Sequence, residues 1–90
     1  MVLYKQENTL KTGGELLASV KKIIEKMKNG PNNIRPEEAE KVLKAYGYKV
    51  ARQKGSHKHY INGTGDVITI KQENPLKRAY IEDILSRIGE

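Results

Sequence analysis

The sequence predicts an α+β domain in which a three-stranded antiparallel sheet carries helices on one face, in the order α-α-β-β-β-α. Apolar residues recur at helical spacing in two stretches before Gly47 and in one after Pro75. Between them lie short runs rich in β-branched and aromatic residues, separated by clusters of glycine and asparagine. The connections between these runs are of hairpin length, which makes neighbouring strands antiparallel and allows one sheet face to stay open to water.

Residues 1–12 show no clear period and read as a flexible N-terminal tail. Residues 13–90 read as a single domain, with an additional N-terminal helix at 13–30 and a core at 34–90. Thr12-Gly13-Gly14-Glu15 fits a capping box, with threonine at the cap and glutamate three residues on. From Glu15 to Lys28, Leu16, Val20, Ile23 and Met27 form an apolar stripe flanked by Leu17 and Ile24, and Asn29-Gly30-Pro31 stops the helix. Pro36 suits the first turn of a second helix, and Glu37 and Glu38 complement its dipole. Ala39, Val42, Leu43 and Tyr46 make its apolar stripe, with Gly47 as the C-terminal cap.

Tyr48–Gln53 is the predicted first strand, and Lys54-Gly55 the tight turn, because glycine adopts the positive φ that a two-residue hairpin loop demands. Ser56–Ile61 is the second strand, Asn62–Asp66 a longer turn, and Val67–Lys71 the third strand. Asn74 and Pro75 supply the cap and first position of a last helix, with a stripe of Leu76, Ala79, Tyr80, Ile84 and Ile88, widened by Ile81 and Leu85.

The chain has 90 residues, a net charge of +6 and no cysteine, which excludes disulfides, thiolate metal sites and a thiol nucleophile. No apolar run approaches membrane-spanning length and the first residues lack the apolar core of a signal peptide. A soluble, cytoplasmic protein is the expectation. Between Glu40 and Asp66 there is no acid, whereas Lys41, Lys44, Lys49, Arg52, Lys54 and Lys58 fall there. A central segment of one sign points to a polyanion such as nucleic acid.

That segment contains Arg52-Gln53-Lys54-Gly55-Ser56-His57-Lys58-His59-Tyr60, with both histidines of the chain. Histidine exchanges protons near neutrality, so beside a turn glycine and several cations it can act on a bound phosphodiester. On residue chemistry alone, a surface or hydrogen-bonded strand histidine is the commoner reading of His57. Ser56 reads as a turn residue rather than a nucleophile, and Tyr60 and Tyr80 as core residues rather than base-stacking platforms. Period two places His57, His59 and Ile61 on one face of their strand and Ser56, Lys58 and Tyr60 on the other, without fixing which is buried.

Gly47-Tyr48, Arg52-Gln53-Lys54-Gly55-Ser56-His57, the aromatic Tyr60, a short third strand and Pro75-Leu76-Lys77-Arg78-Ala79-Tyr80-Ile81 together resemble the HicA toxins over about residues 34–88. The resemblance implies a double-stranded-RNA-binding-domain-like fold. It also implies a metal-independent endoribonuclease, an mRNA interferase of a type II toxin–antitoxin pair, neutralised by a HicB-type antitoxin. The family's essential histidine corresponds to His57, and no cofactor or metal is implied. In two places the chain departs from the pattern. His59 stands where an aliphatic residue is usual, which suggests a partly buried sheet residue. Lys71 and its successors replace a proline and, in many members, a histidine.

The expected mechanism is removal of the RNA 2′-hydroxyl proton by His57, with Arg52, Lys54, Lys58 and the backbone of Gly55 and Ser56 binding phosphate. One histidine cannot both accept and donate in a single step, so water or a second residue must complete the cycle. A non-catalytic RNA-binding module of the same fold is the alternative, and a protein-interaction subunit with a basic docking face is a third reading.

Overall fold

A computed structural model describes the backbone from Glu7 to Glu90 and the side chains from Ala18 onward. Its elements are α1 (Glu7–Asn29), α2 (Pro36–Ala45), β1 (Lys49–Lys54), β2 (His57–Ile61), β3 (Val67–Lys71) and α3 (Arg78–Arg87). The α+β class and the order α-α-β-β-β-α are therefore those the sequence predicts. Residues 1–6 of the expected tail lie outside the described residues. From Glu7 the backbone is helical, so α1 begins well before the predicted cap at Thr12 and runs through Gly13 and Gly14. A capping box is a local pattern, and glycine within a helix costs only about 1 kcal/mol relative to alanine, which continuation of the hydrogen-bonded ladder can offset. The side chains of the proposed cap, and of Leu16 and Leu17, lie outside the described residues.

Val20, Ile23, Ile24 and Met27 of α1 are buried, as their spacing requires. On α2, Ala39, Val42 and Leu43 are buried, and Glu38 accepts a hydrogen bond from the Arg35 backbone N–H at 3.0 Å, which satisfies one orphan donor of the helix start. Tyr46, expected in the stripe, is instead exposed: it sits at the C-cap, where the chain turns away through Gly47 at φ +90°. Lys26 reaches Glu38 at 2.9 Å and Lys41 reaches Ser19 at 2.9 Å, bracketing the contact between α1 and α2.

The strands form one antiparallel sheet in the order β1-β2-β3. Tyr60, Ile68 and Ile70 face the helices and join the core cluster with Ile34, Leu76, Ile81 and Ile84. The last helix starts three residues later than Pro75. Leu76 donates its N–H to the Ile34 carbonyl at 2.8 Å and is itself buried, so residues 74–77 are spent in packing against the α2 approach, and Lys77 takes the N-cap. Ala79, expected in the stripe, is exposed as a consequence, while Ile81 and Ile84 carry the buried face. Asp66 accepts from the Tyr48 hydroxyl and from Arg87 Nη1, so one carboxylate ties the end of α3 to the β2–β3 turn and to the start of β1. Among the described residues, no helix is long and apolar enough to cross a membrane.

Candidate functional site

The two-residue loop that closes the β1–β2 hairpin is Gly55-Ser56 rather than the expected Lys54-Gly55, because Lys54 still pairs with His57 and ends β1. Gly55 sits at φ +58°, the left-handed region that glycine enters without a Cβ penalty, so the predicted reason for a glycine here holds. The loop is anchored: Ser56 accepts the Gln72 N–H at 2.6 Å, and the Gln53 side chain donates to the Gly55 carbonyl at 3.1 Å.

The face of the sheet turned away from the helices is decided by an irregularity in β1. Lys49 pairs with Ile61 and Val50 with Tyr60, but Arg52, not Ala51, pairs with His59. Ala51 is the extra residue of a β-bulge. Counting by twos from buried Tyr48 would send Val50, Arg52 and Lys54 towards the helices. The bulge resets the parity, so that Arg52 and Lys54 join His57 and His59 on the open face. Regular alternation along β1 does not reveal this shift.

On that face His57 has Lys54 across one strand pairing and Lys71 across the other. Directly opposed residues bring their Cβ atoms to about 4.5–5.5 Å, so a cation flanks the imidazole on each side. The ring is exposed. Arg52, Lys54, Gly55, Ser56, His57, His59 and Thr69 line an open depression of about 630 Å³. Such a floor, with cations, imidazoles and loop backbone and without a carboxylate, fits a phosphate chain. Among the described residues no three His, Cys, Asp or Glu side chains converge to hold a metal ion.

Two residues depart from expectation. Lys58, grouped with the phosphate-binding cations, points to the helix side, where its Nζ lies 2.8 Å from Glu40 Oε1. Strand alternation separates it from His57, and a carboxylate already neutralises it. Lys71, by sequence only a departure from the family pattern, is brought beside His57 by the β2–β3 register. Its place at the end of the third strand was the available signal, but pairing register was needed to use it. Its side chain is half exposed, with Glu73 at 3.8 Å.

Glu40 also accepts from the Tyr60 hydroxyl at 2.8 Å and from Lys44 at 3.1 Å. Burial pushes its carboxyl up, but hydrogen bonds from Lys58, Tyr60 and Lys44 outweigh that and hold it at about 2, against an ordinary 4.5. Burial and the Glu40 carboxylate together push the Tyr60 phenol up. Tyr60 is therefore a buried strut from β2 to α2, as the core reading of that residue expected, and Tyr80 packs partly buried against the same core. His59 is half-buried, and its Nδ1 lies 2.8 Å from Thr69 Oγ1.

A family model described as the HicA toxin of bacterial toxin–antitoxin systems matches residues 36–89, and the chain belongs to this family. The match spans α2, the whole sheet and α3, and leaves α1 outside it. No curated protein and no solved structure matches the chain significantly.

Proposed function

We propose that this member of the HicA toxin family is an endoribonuclease that cuts mRNA with His57 as its proton-transfer residue, and so inhibits translation in the cytoplasm. RNA carries its own nucleophile, the 2′-hydroxyl next to the scissile phosphate. Cleavage needs that proton removed and the growing negative charge on phosphorus-bound oxygen stabilised. His57 is exposed, lies in the open depression and is flanked across both strand pairings by lysines; that single arrangement carries the reading. Lys54, Lys71 and Arg52 neutralise phosphate and the developing charge. The N–H groups of Gly55 and Ser56 add donors at the hairpin tip, where no side chain blocks approach to Gly55.

The partner that silences the activity is a HicB-type antitoxin, which covers the open cationic face and withdraws His57 from RNA. The complement to a face of this charge is an acidic or phosphate-mimicking surface.

The test is cleavage of a radiolabelled mRNA by the purified chain and its His57→Ala variant, with chelator present and RNA affinity measured alongside. Loss of cleavage with affinity nearly kept supports the reading. Equal affinity with no cleavage by either chain identifies a non-catalytic RNA-binding module, and cleavage that persists in the variant removes His57 from the mechanism.

A further inference from the structure

The site has a second imidazole that the one-histidine mechanism leaves unused. His57 and His59 are two residues apart on β2 and share its open face, so their Cα atoms are about 6.5–7 Å apart along the strand. That spacing lets two rings stand on either side of one phosphodiester. Both line the same depression. His59 is also oriented: its ring is half-buried and Nδ1 meets the Thr69 hydroxyl, its cross-strand partner, at 2.8 Å. Pairing at Nδ1 leaves Nε2 as the nitrogen that can serve the depression.

We propose that His59 is the second catalytic residue, the general acid that protonates the leaving 5′-oxygen while His57 takes the 2′-hydroxyl proton. The proposal rests on the ribonuclease reading of this face. The 2′-oxygen forms a bond to phosphorus as its proton passes to His57. The bond from phosphorus to the 5′-oxygen breaks, its electron pair stays on that oxygen, and the proton comes from His59 Nε2. The products are a 2′,3′-cyclic phosphate and a 5′-hydroxyl end. His57 has gained the proton that His59 has lost, and exchange with water restores both. In the imidazolium form Nδ1–H donates to Thr69 Oγ1, so Thr69 is a positioning residue that points the acidic N–H away from β3.

Arg52 faces His59 from β1, Thr69 from β3, and Lys54, His57 and Lys71 flank it diagonally or along the strand. No carboxylate stands directly opposite it. These cations supply countercharge to the phosphate whose 5′-oxygen receives the proton.

A leaving group that needs no proton provides the test. Wild type, His59→Gln and Thr69→Val are compared on an RNA dinucleotide with the natural 5′-oxygen and on one with a 5′-bridging sulfur, which departs as a thiolate. On the oxygen substrate His59→Gln is expected to lose about 10²-fold or more in kcat, the usual worth of a proton-transfer group, and Thr69→Val about 10-fold. On the sulfur substrate both variants return to within a few-fold of wild type, and the alkaline fall of the wild-type pH–rate profile disappears. His57→Ala stays inactive on both. An equal loss on both substrates for the His59 and Thr69 variants, or no loss on either, overturns the proposal while leaving His57 and the nuclease in place. If the wild type cuts neither substrate, the nuclease reading fails and this one with it.

Discussion

The two sides of β2 carry similar residues to opposite ends. Towards the helices, Lys58 and Tyr60 converge on the Glu40 carboxylate, each at 2.8 Å, and the cation is spent on holding strand to helix. Towards solvent, His57 and His59 stand among Arg52, Lys54 and Lys71, with Thr69 opposite His59 and no acid among their directly paired residues. The difference lies in pairing rather than in charge number. Helix α2 brings Glu40 to one face, while among the described residues no helix side chain is hydrogen-bonded to His57, His59 or the cations beside them. A cation gripped by a carboxylate at hydrogen-bond distance, as Lys58 is at 2.8 Å, contributes to the fold, whereas Arg52, Lys54 and the half-exposed Lys71, with Glu73 only at 3.8 Å, are available to a polyanion.

The sharpest way to break the comparison is His57→Ala, which should reduce RNA cleavage by about 10²–10⁴-fold and leave thermal stability unchanged, because the ring is exposed. Cleavage assays and a melting curve on the same sample check both halves. On the opposite side, truncating a buried strand residue should do the reverse. Ile70→Ala is expected to cost about 2–5 kcal/mol in urea unfolding, since that side chain is 1% exposed in the core.

Glu40→Gln should lower stability by about 1–3 kcal/mol at neutral pH by weakening the grip on Lys58 and Tyr60. The pH dependence has a definite sign. The folded carboxyl is held at about 2, below its ordinary 4.5, so its stabilisation is complete above about pH 4.5 and is lost as pH falls towards 2. Unfolding midpoints across that window should fall steeply for the wild type and less for the variant.

Gly55→Ala is expected to cost about 1–2 kcal/mol through the positive φ alone, because open space surrounds the position. The smallest effect sharpens the contrast most directly. Lys54→Gln and Lys71→Gln should each flatten the dependence of log RNA affinity on log salt by about 0.7, the value of one phosphate contact on a single strand. Lys58→Gln should leave that slope unchanged. An equal slope change for Lys58 and Lys54 would show that the two sides do not divide the labour in this way.

Much of this arrangement was legible beforehand. The alternation within β2 separates His57 from Lys58 without any structure, and Gly55 marks the hairpin tip through its backbone freedom. Val67–Lys71 coincides with β3, because β-branched residues bounded by turn formers leave little choice. Local pattern misleads where a residue's role depends on a distant neighbour. By sequence Lys58 belongs with the phosphate-binding cations, because Glu40 is eighteen residues away and enters only through packing. Lys71 gained its place from strand register, and α3 started late because Leu76 is held by Ile34.

Taken alone, the order of residues determined the helices and strands, the turn chemistry, the concentration of positive charge and the candidate imidazole, since each follows from spacings of a few residues and from backbone preferences. Tertiary structure decided which face of the sheet would be open, and therefore which cations attend His57. The bulge at Ala51 and the carboxylate of Glu40 settle that question, and both arise from how separate segments fit against one another, which no local pattern encodes.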